Sequence, residues 1–387
     1  MKKKDNKWIL TIGILLLIAG ATGVFFRQTV QSSTQENRVF AKEDHIKRDI
    51  LVEGKNYQER VNIAAIGDIL IHDTVFLDAA TAEGYDFKPM FSHVKDTLTK
   101  PDILLANQET ILGGMELGLS GYPTFNSPRE VGDALIDAGV DIVSTANNHT
   151  LDKGEKGIQS SMGYLSEVGL PYVGSFKNPE DQQRLRILNH DGVNIAYLSY
   201  TYGTNGIPVP EGKDFLVNLI DKAAMKEEIH RAKDQADVVV MSIHWGNEYQ
   251  RTPDNIQQEL AHFIVNEGVD VVFGHHPHVL QPMEWIQTDD GRKAFVIYSL
   301  GNFLSGQMWD YKDIGGMVSL DIIKKITSDG TTIELANPEF SPTYVSSSGQ
   351  RNYQVVPLEQ AGKYGLEQAK SKYEEIMSHM TEPLKTN

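Results

Sequence analysis

Five short polar clusters in this chain supply imidazoles, carboxylates or amides, each at the end of an apolar run. The densest is Gly274-His275-His276-Pro277-His278, which places three imidazoles within four residues. That is too many for packing, and Pro277 stiffens the backbone between His276 and His278. The others are Asp68 with His72 four residues on, Asn107-Gln108-Glu109, Asn147-Asn148-His149 with Asp152 nearby, and His244 with Glu248 behind it. Imidazole and carboxylate together suit Mn, Zn or Fe and are wrong for an all-oxygen calcium cage. Two such ions held close together activate water and clamp both oxygens of a phosphoryl displacement, with a carboxylate such as Glu109 or Asp68 as bridge. Taken singly, each cluster has a structural explanation. Asn-rich loops supply helix caps and αL turns, and His244 beside Trp245 reads equally as a satisfied core histidine. Five independent strand ends showing the same pattern favour one shared site.

Composition narrows the partners. The 387 residues carry a net charge of -16, unevenly spread. Residues 1–48 hold nine Lys/Arg against four Asp/Glu, leaving the remainder at -21. A body that acidic offers no phosphate-neutralising face, which argues against nucleic acid. Cysteine is absent, excluding disulfides, thiolate metal sites and cysteine nucleophiles together.

The clusters need elements to position them. Apolar runs at 61–66, 103–106, 141–145, 193–200, 238–243, 269–273 and 294–298 read as strands. Helical spacing covers 89–98, 128–138, 154–168, 219–236 and 254–266, with Ser127 and Pro128 as N-cap and N1 of the second. Runs at 315–323 and 331–335 read as edge strands, and 357–380 as a helical appendage. Such alternation predicts an α/β fold with much parallel pairing, in one large domain that could hold two packed sheets. In such sheets ligands gather beyond the carboxyl ends of strands. The expected domain spans 61–325, followed by a C-terminal extension, 326–387, with edge strand and helix.

The N-terminus implies a location. Lys2, Lys3, Lys4 and Lys7 precede an uncharged run, 8–26. Nineteen helical residues span about 28 Å, close to a bilayer core. The lysines of segment 1–7 should stay cytoplasmic, which places the rest outside the cell membrane as a single-pass protein. A cleaved signal peptide ending near Ala19-Gly20-Ala21 is the competing expectation. Residues 27–60 read as an extracytoplasmic tether.

The order Gly67-Asp68, Asn107-Gln108-Glu109, Asn147-Asn148-His149, His244-Trp245-Gly246 and His276-Pro277-His278 resembles the CapA family of capsule and poly-γ-glutamate biosynthesis proteins. Residues 244–249, 274–279 and 298–303 match that family's spelling of its later blocks. The family in turn resembles calcineurin-like metallophosphoesterases. That resemblance implies a four-layer α/β/β/α sandwich with one or two divalent transition metals. Asp68 would bind the first metal, Glu109 bridge, Asn148 and His244 bind the second, and His276 and His278 complete one each. His149 and His72 are the candidate catalytic imidazoles, with His149 protonating the leaving oxygen or orienting substrate. Asn107, Asn147, Asp152, Glu248, His275 and Asn302 would support the site or touch substrate. Two departures stand out: metallophosphoesterases usually carry Asp-x-His at the first block, and Asp at the bridge. The expected function is a membrane-anchored, extracytoplasmic metal-dependent hydrolase or transferase acting on an anionic polymer or phosphoester, with other membrane subunits as partners. A non-catalytic metal-binding component of a synthesis or export complex, and an envelope phosphoesterase unrelated to capsule, are the alternatives.

Overall fold

The computed structural model describes residues 56–385. The expected membrane segment 8–26, the basic residues before it and most of the expected tether lie outside those residues. Among the described residues no helix is long and apolar enough to cross a membrane.

The strands are β1 (Tyr57–Leu70), β2 (Ile103–Gln108), β3 (Ile142–Ser144), β4 (Tyr172–Val173), β5 (Arg186–His190), β6 (Val193–Thr201), β7 (Val238–His244), β8 (Val271–His275), β9 (Leu280–Gln287), β10 (Lys293–Leu300), β11 (Asn302–Ser305), β12 (Ile314–Thr327), β13 (Gly330–Ser346) and β14 (Gln354–Pro357). They form two sheets, ordered β14-β13-β12-β1-β2-β3-β4 and β5-β6-β7-β8-β10-β9, with β11 alongside β1. The fold is thus mixed α/β with two sheets. Parallel pairing runs β1 to β4 in the first sheet and β6, β7, β8, β10 in the second.

The two-residue period of the strands explains the layering. Val238 and Val240 of β7 join Ile195, Val271, Phe273, Phe295 and Ile297 in the core shared with the first sheet. The alternate residues Val239, Met241 and Ile243 face a second core with Met225, Ile229, Leu260 and Ile264 from the helices Lys222–Lys233 and Asn255–Glu267. Both helices start on an Asp cap: Asp221 accepts from Ala224 N–H, and Asp254 forms a capping box with Gln257. On the first sheet's side, the helices Glu130–Asp137 and Gly154–Val168 add Val131, Leu135, Ile158 and Leu165 to the shared core. Each fully buried aliphatic side chain of this kind contributes about 1.5–3 kcal/mol.

Several expectations are corrected. Residues 89–98 form two short helices, Lys88–Phe91 and Lys95–Leu98, rather than one. Ser127 does not cap the helix Glu130–Asp137; its hydroxyl donates to Thr110 Oγ1 instead. The strand containing 315–323 is central, paired to β1 on one side and β13 on the other. The boundary expected at 325 falls inside β12, and β13 and β14 extend the same sheet. The helix Ala369–Thr381 buries Ile376 and Met380 in the shared core.

Candidate metal centre

Parallel register brings the strand ends to one level. Asp68 pairs with Asn107 of β2 and with Asn302 of β11, and His244 pairs with His275 across β7 and β8. Two glycines allow the backbones to approach. A Cβ on Gly67 would stand 2.0 Å from Gly301 O, and one on Gly274 2.0 Å from Tyr298 O. The Gly-Asp and Gly-His spellings are therefore a steric requirement of the sheet ends.

Beyond β8 the chain turns sharply. His276 and His278 take positive φ angles of 97° and 58°, conformations that cost a non-glycine residue energy. The turn carries both imidazoles into the junction of the sheets. His276 lies 4.7 Å from His244 and 5.8 Å from His278, ring centre to ring centre.

Six of the candidate ligands converge there, all buried. His278 Nδ1 stands 3.1 Å from Asp68 Oδ2 and 3.1 Å from Asn302 Oδ1. His244 Nε2 lies 2.9 Å from Asn148 Oδ1 and 3.5 Å from Glu109 Oε1. His278 Nε2 faces the same Glu109 oxygen at 3.8 Å. Two triads have donor atoms within 4.8 Å of one another: Asp68, Glu109 and His244, and Glu109, His276 and His278. Glu109 is common to both. These triads divide the ligands differently from the resemblance, which would put Asp68 and His244 on separate ions.

The supporting residues are also in place. Asn107 Nδ2 donates to Asp68 Oδ1 at 2.8 Å, while its own oxygen accepts from Ser144. Asn147 Nδ2 donates to Gln108 O, and its Oδ1 accepts the His149 N–H. Asp152 Oδ2 stands 2.7 Å from His149 Nδ1 and also accepts the Phe125 N–H. Asn302 Nδ2 donates to Lys312 O and Gln307 Oε1. His275 Nδ1 is 3.3 Å from Asp68 Oδ1, and His275 is in neither triad. Glu248 is exposed at the rim. His72 is in neither triad: its Nδ1 lies 3.1 Å from Leu70 O and 3.2 Å from Gly306 N. Its ring meets Phe125 edge-on at 5.1 Å, and Phe125 in turn meets His149 at 4.6 Å.

Electrostatics separate the two carboxylates. Burial alone would raise both. At Asp68, hydrogen bonding from His275 and His278 outweighs it and holds the group well below its ordinary value. At Glu109, burial and then the Asp68 charge push the group well above. Burial, with His276 beside it, keeps His244 neutral, and burial with His278 lowers His276 to about 3. Burial likewise lowers His72 to about 4. Neutral imidazoles beside an ionised Asp are the protonation states a metal requires.

The donor set fits a divalent transition metal. Both oxygens of Glu109, His244 Nδ1 and His276 Nδ1 are buried without a hydrogen-bond partner among the described residues. Native proteins seldom leave a buried carboxylate so, because each orphaned group costs about 1–3 kcal/mol or more.

Tyr202 and Asn205 belong to the site although no motif named them. Tyr202 packs on His276 with ring centres 4.6 Å apart, and its N–H donates to His244 O. Asn205, at φ 51°, accepts from Asn148 Nδ2 at 3.3 Å and reaches His149 Nδ1 at 3.5 Å. The available signal was a polar, Gly-bearing run, 201–206, directly after the β6 apolar strand.

The sequence profile of the "bacterial capsule synthesis protein PGA_cap" family matches residues 62–307. A "capsule biosynthesis protein CapA" of Bacillus anthracis is 29% identical over 304 residues, 76% of this chain and 72% of that protein. A "PGA biosynthesis protein CapA" of Bacillus subtilis (strain 168) is 27% identical over 239 residues, 59% of each chain. A "NAD nucleotidase (NadN)" structure from Haemophilus influenzae aligns over 83% of this chain and 68% of its own, at 14% identity and a TM-score of 0.44, too low to carry weight.

Proposed function

This chain belongs to the bacterial capsule synthesis protein PGA_cap family, and on that premise we propose that it is a metal-dependent hydrolase or transferase in capsule polymer metabolism of the poly-γ-glutamate type. The observation that carries this is Glu109: a buried carboxylate with both oxygens unpartnered, shared by two triads of ligand atoms. Asp68, Glu109, Asn148, His244, His276 and His278 would hold one or two divalent ions of Mn, Zn or Fe. A cation there supplies Lewis acidity at the phosphoryl oxygen and lowers the pKa of water. His149 would deliver a proton to the leaving oxygen. Asp152 holds its Nδ1, which orients the ring and leaves Nε2 for transfer. Asn107 and Asn302 keep Asp68 and His278 aimed. We further propose a four-layer metallophosphoesterase type of fold, and a location outside the cell membrane, tethered by residues 8–26 beside other membrane subunits.

The test is metal analysis of the full-length protein with assays on a generic phosphodiester and on γ-glutamyl polymer. Wild type should retain transition metal and turn over one of them. His276→Ala with His278→Ala should lose both properties. Metal-free wild type, with those variants fully functional in cells, would sink the proposal.

A second reading, a non-catalytic metal-binding component of a synthesis or export complex, is favoured by one observation. The His72 Nδ1 is engaged with backbone at Leu70 and Gly306, which takes it away from the ligand triads. On that reading the ligand variants lose metal yet keep polymer output.

A further inference from the structure

The first residue past β6 covers an imidazole from each triad. Tyr202 packs on His276 with ring centres 4.6 Å apart, and its ring is within 8° of parallel to His244 at 6.4 Å. Both imidazoles are buried, whereas Tyr202 is 48% exposed, so its ring lies on their solvent side. The backbone fixes it there. The Tyr202 N–H donates to His244 O, the Thr201 N–H donates to Asn218 O, and Thr201 O accepts the Ile220 N–H. This is a residue placed by the sheet end, with its phenol at the mouth of the site.

Phosphoryl or acyl transfer builds negative charge on a substrate oxygen, which needs hydrogen-bond donors aimed at it. Among the described residues the site has few to give. Its carboxylates, and Glu248 at the rim, only accept. The amides spend N–H groups on protein: Asn107 on Asp68, Asn147 on Gln108 O, Asn148 on Asn205 Oδ1, and Asn302 on Lys312 O and Gln307 Oε1. The cations nearby are matched by carboxylates. Arg251 and Lys372 stand 3.8 and 4.2 Å over the Tyr311 ring, and both bind Glu375, at 2.9 and 2.7 Å. Lys312 lies 5.2 Å over the Tyr249 ring and 3.7 Å from Asp310. His149 keeps Nε2 for the leaving oxygen. That leaves the Tyr202 hydroxyl. Asn148 turns its Oδ1 to His244 Nε2, and its amide hydrogen-bonds the Tyr202 phenol. The bond fills an acceptor position on that oxygen and leaves its own O–H free to donate.

We propose that Tyr202 is a further catalytic residue: its hydroxyl donates a hydrogen bond to the substrate oxygen on which negative charge builds, while His149 serves the leaving group. No proton leaves the phenol. The bond strengthens as the charge grows, so it favours the transition state over bound substrate. This rests on the metal-dependent reading above, and it holds for a phosphoester and for a γ-glutamyl amide alike, because both reactions place charge on an oxygen held at the triads.

The experiment compares full-length, manganese-treated wild type with Tyr202→Phe and Tyr249→Phe. It reads metal content, calorimetric titration with inorganic phosphate as a tetrahedral oxyanion, and steady-state kinetics on whichever of a generic phosphodiester and γ-glutamyl polymer the wild type turns over. Tyr202→Phe keeps the ring over His276 and loses only the hydroxyl. It should keep its metal, bind phosphate about tenfold more weakly, and lose about 10²–10³ in kcat with little change in KM. Tyr249→Phe removes a hydroxyl that Gln307 Nε2 meets at 3.4 Å, on a ring 6.2 Å from His278, and should match wild type throughout. Either loss, confined to Tyr202→Phe with metal retained, supports the proposal. Absence of both losses, loss of metal from Tyr202→Phe, or an equal effect of Tyr249→Phe would each overturn it. Wild type that holds no metal fails the metal reading separately. The Tyr202 donor then stands only if phosphate still binds and Tyr202→Phe weakens it, and falls otherwise.

Discussion

Glu109 Oε1 lies 3.5 Å from His244 Nε2, across the junction of two sheets, and neither Glu109 oxygen has a hydrogen-bond partner among the described residues. One comes from the chain just past β2, the other from the last position of β7. Their separation is too long for a hydrogen bond and suits two groups that face a common third. The contact therefore destabilises the metal-free fold while preparing it for a cation.

Glu109→Gln separates those two effects. The amide keeps the shape and removes the ionisable carboxyl that a cation would need. The metal-free variant should be at least as stable as metal-free wild type, by about 0–2 kcal/mol in denaturant unfolding. The same variant should gain little from added Mn or Zn. A metal-free Glu109→Gln protein several kcal/mol less stable than wild type would contradict the carboxylate's unpaired state.

Metal should stabilise the native state by linkage. At a free ion concentration about 100 times Kd, the gain is about 2.7 kcal/mol for one site. Thermal unfolding of wild type with and without a chelator measures it. His244→Ala should reduce the shift, because its imidazole belongs to one of the two triads.

Much of this was legible in the sequence, for a physical reason. Asp68, His244 and the His275–His278 run stand at the carboxyl ends of parallel strands, and parallel register forces such ends to one level. Strands buried along their whole length, such as β7 and β8, announced themselves as nearly continuous apolar runs. The C-terminal part was harder: β13 carries exposed and half-exposed residues over much of its length, so little hydrophobicity marks it as an extension of the first sheet. Tyr202 and Asn205 were hidden because aromatic and amide side chains after a strand are common, and only the fold turns the β6 loop over His276 and His149.

His149→Asn should lower phosphodiester turnover by about 10²–10⁴ with metal content unchanged. Asp152→Asn should fall in the same direction by less, since it removes the group that orients the ring rather than the ring itself. Steady-state kinetics beside metal analysis distinguishes this from loss of the site.

Asp181 gives a pH dependence away from the metal. Burial opposes its ionisation, but the Lys177 N–H, the Tyr172 hydroxyl and the Arg186 guanidinium hold it below its ordinary value. A carboxyl depressed in the folded state contributes stability above its unfolded pKa and loses it as pH falls through the folded value. Asp181→Asn should cost about 1–3 kcal/mol at pH 7. The gap between variant and wild type should narrow as pH falls below about 4, the unfolded aspartate value. Urea unfolding across that range tests the sign.

Gly274→Ala probes the steric basis of the cluster. A methyl group there meets Tyr298 O at 2.0 Å, a backbone atom of β10 that cannot swing aside. The strands must separate just where His275 follows and His276 begins its turn. The variant should lose more than about 3 kcal/mol, the upper range for overpacking. If it folds at all, the displaced β8 end should bind metal more weakly than wild type. Gly163→Ala, with open space at its Cβ and ordinary helical backbone, is the control and should be neutral or slightly stabilising.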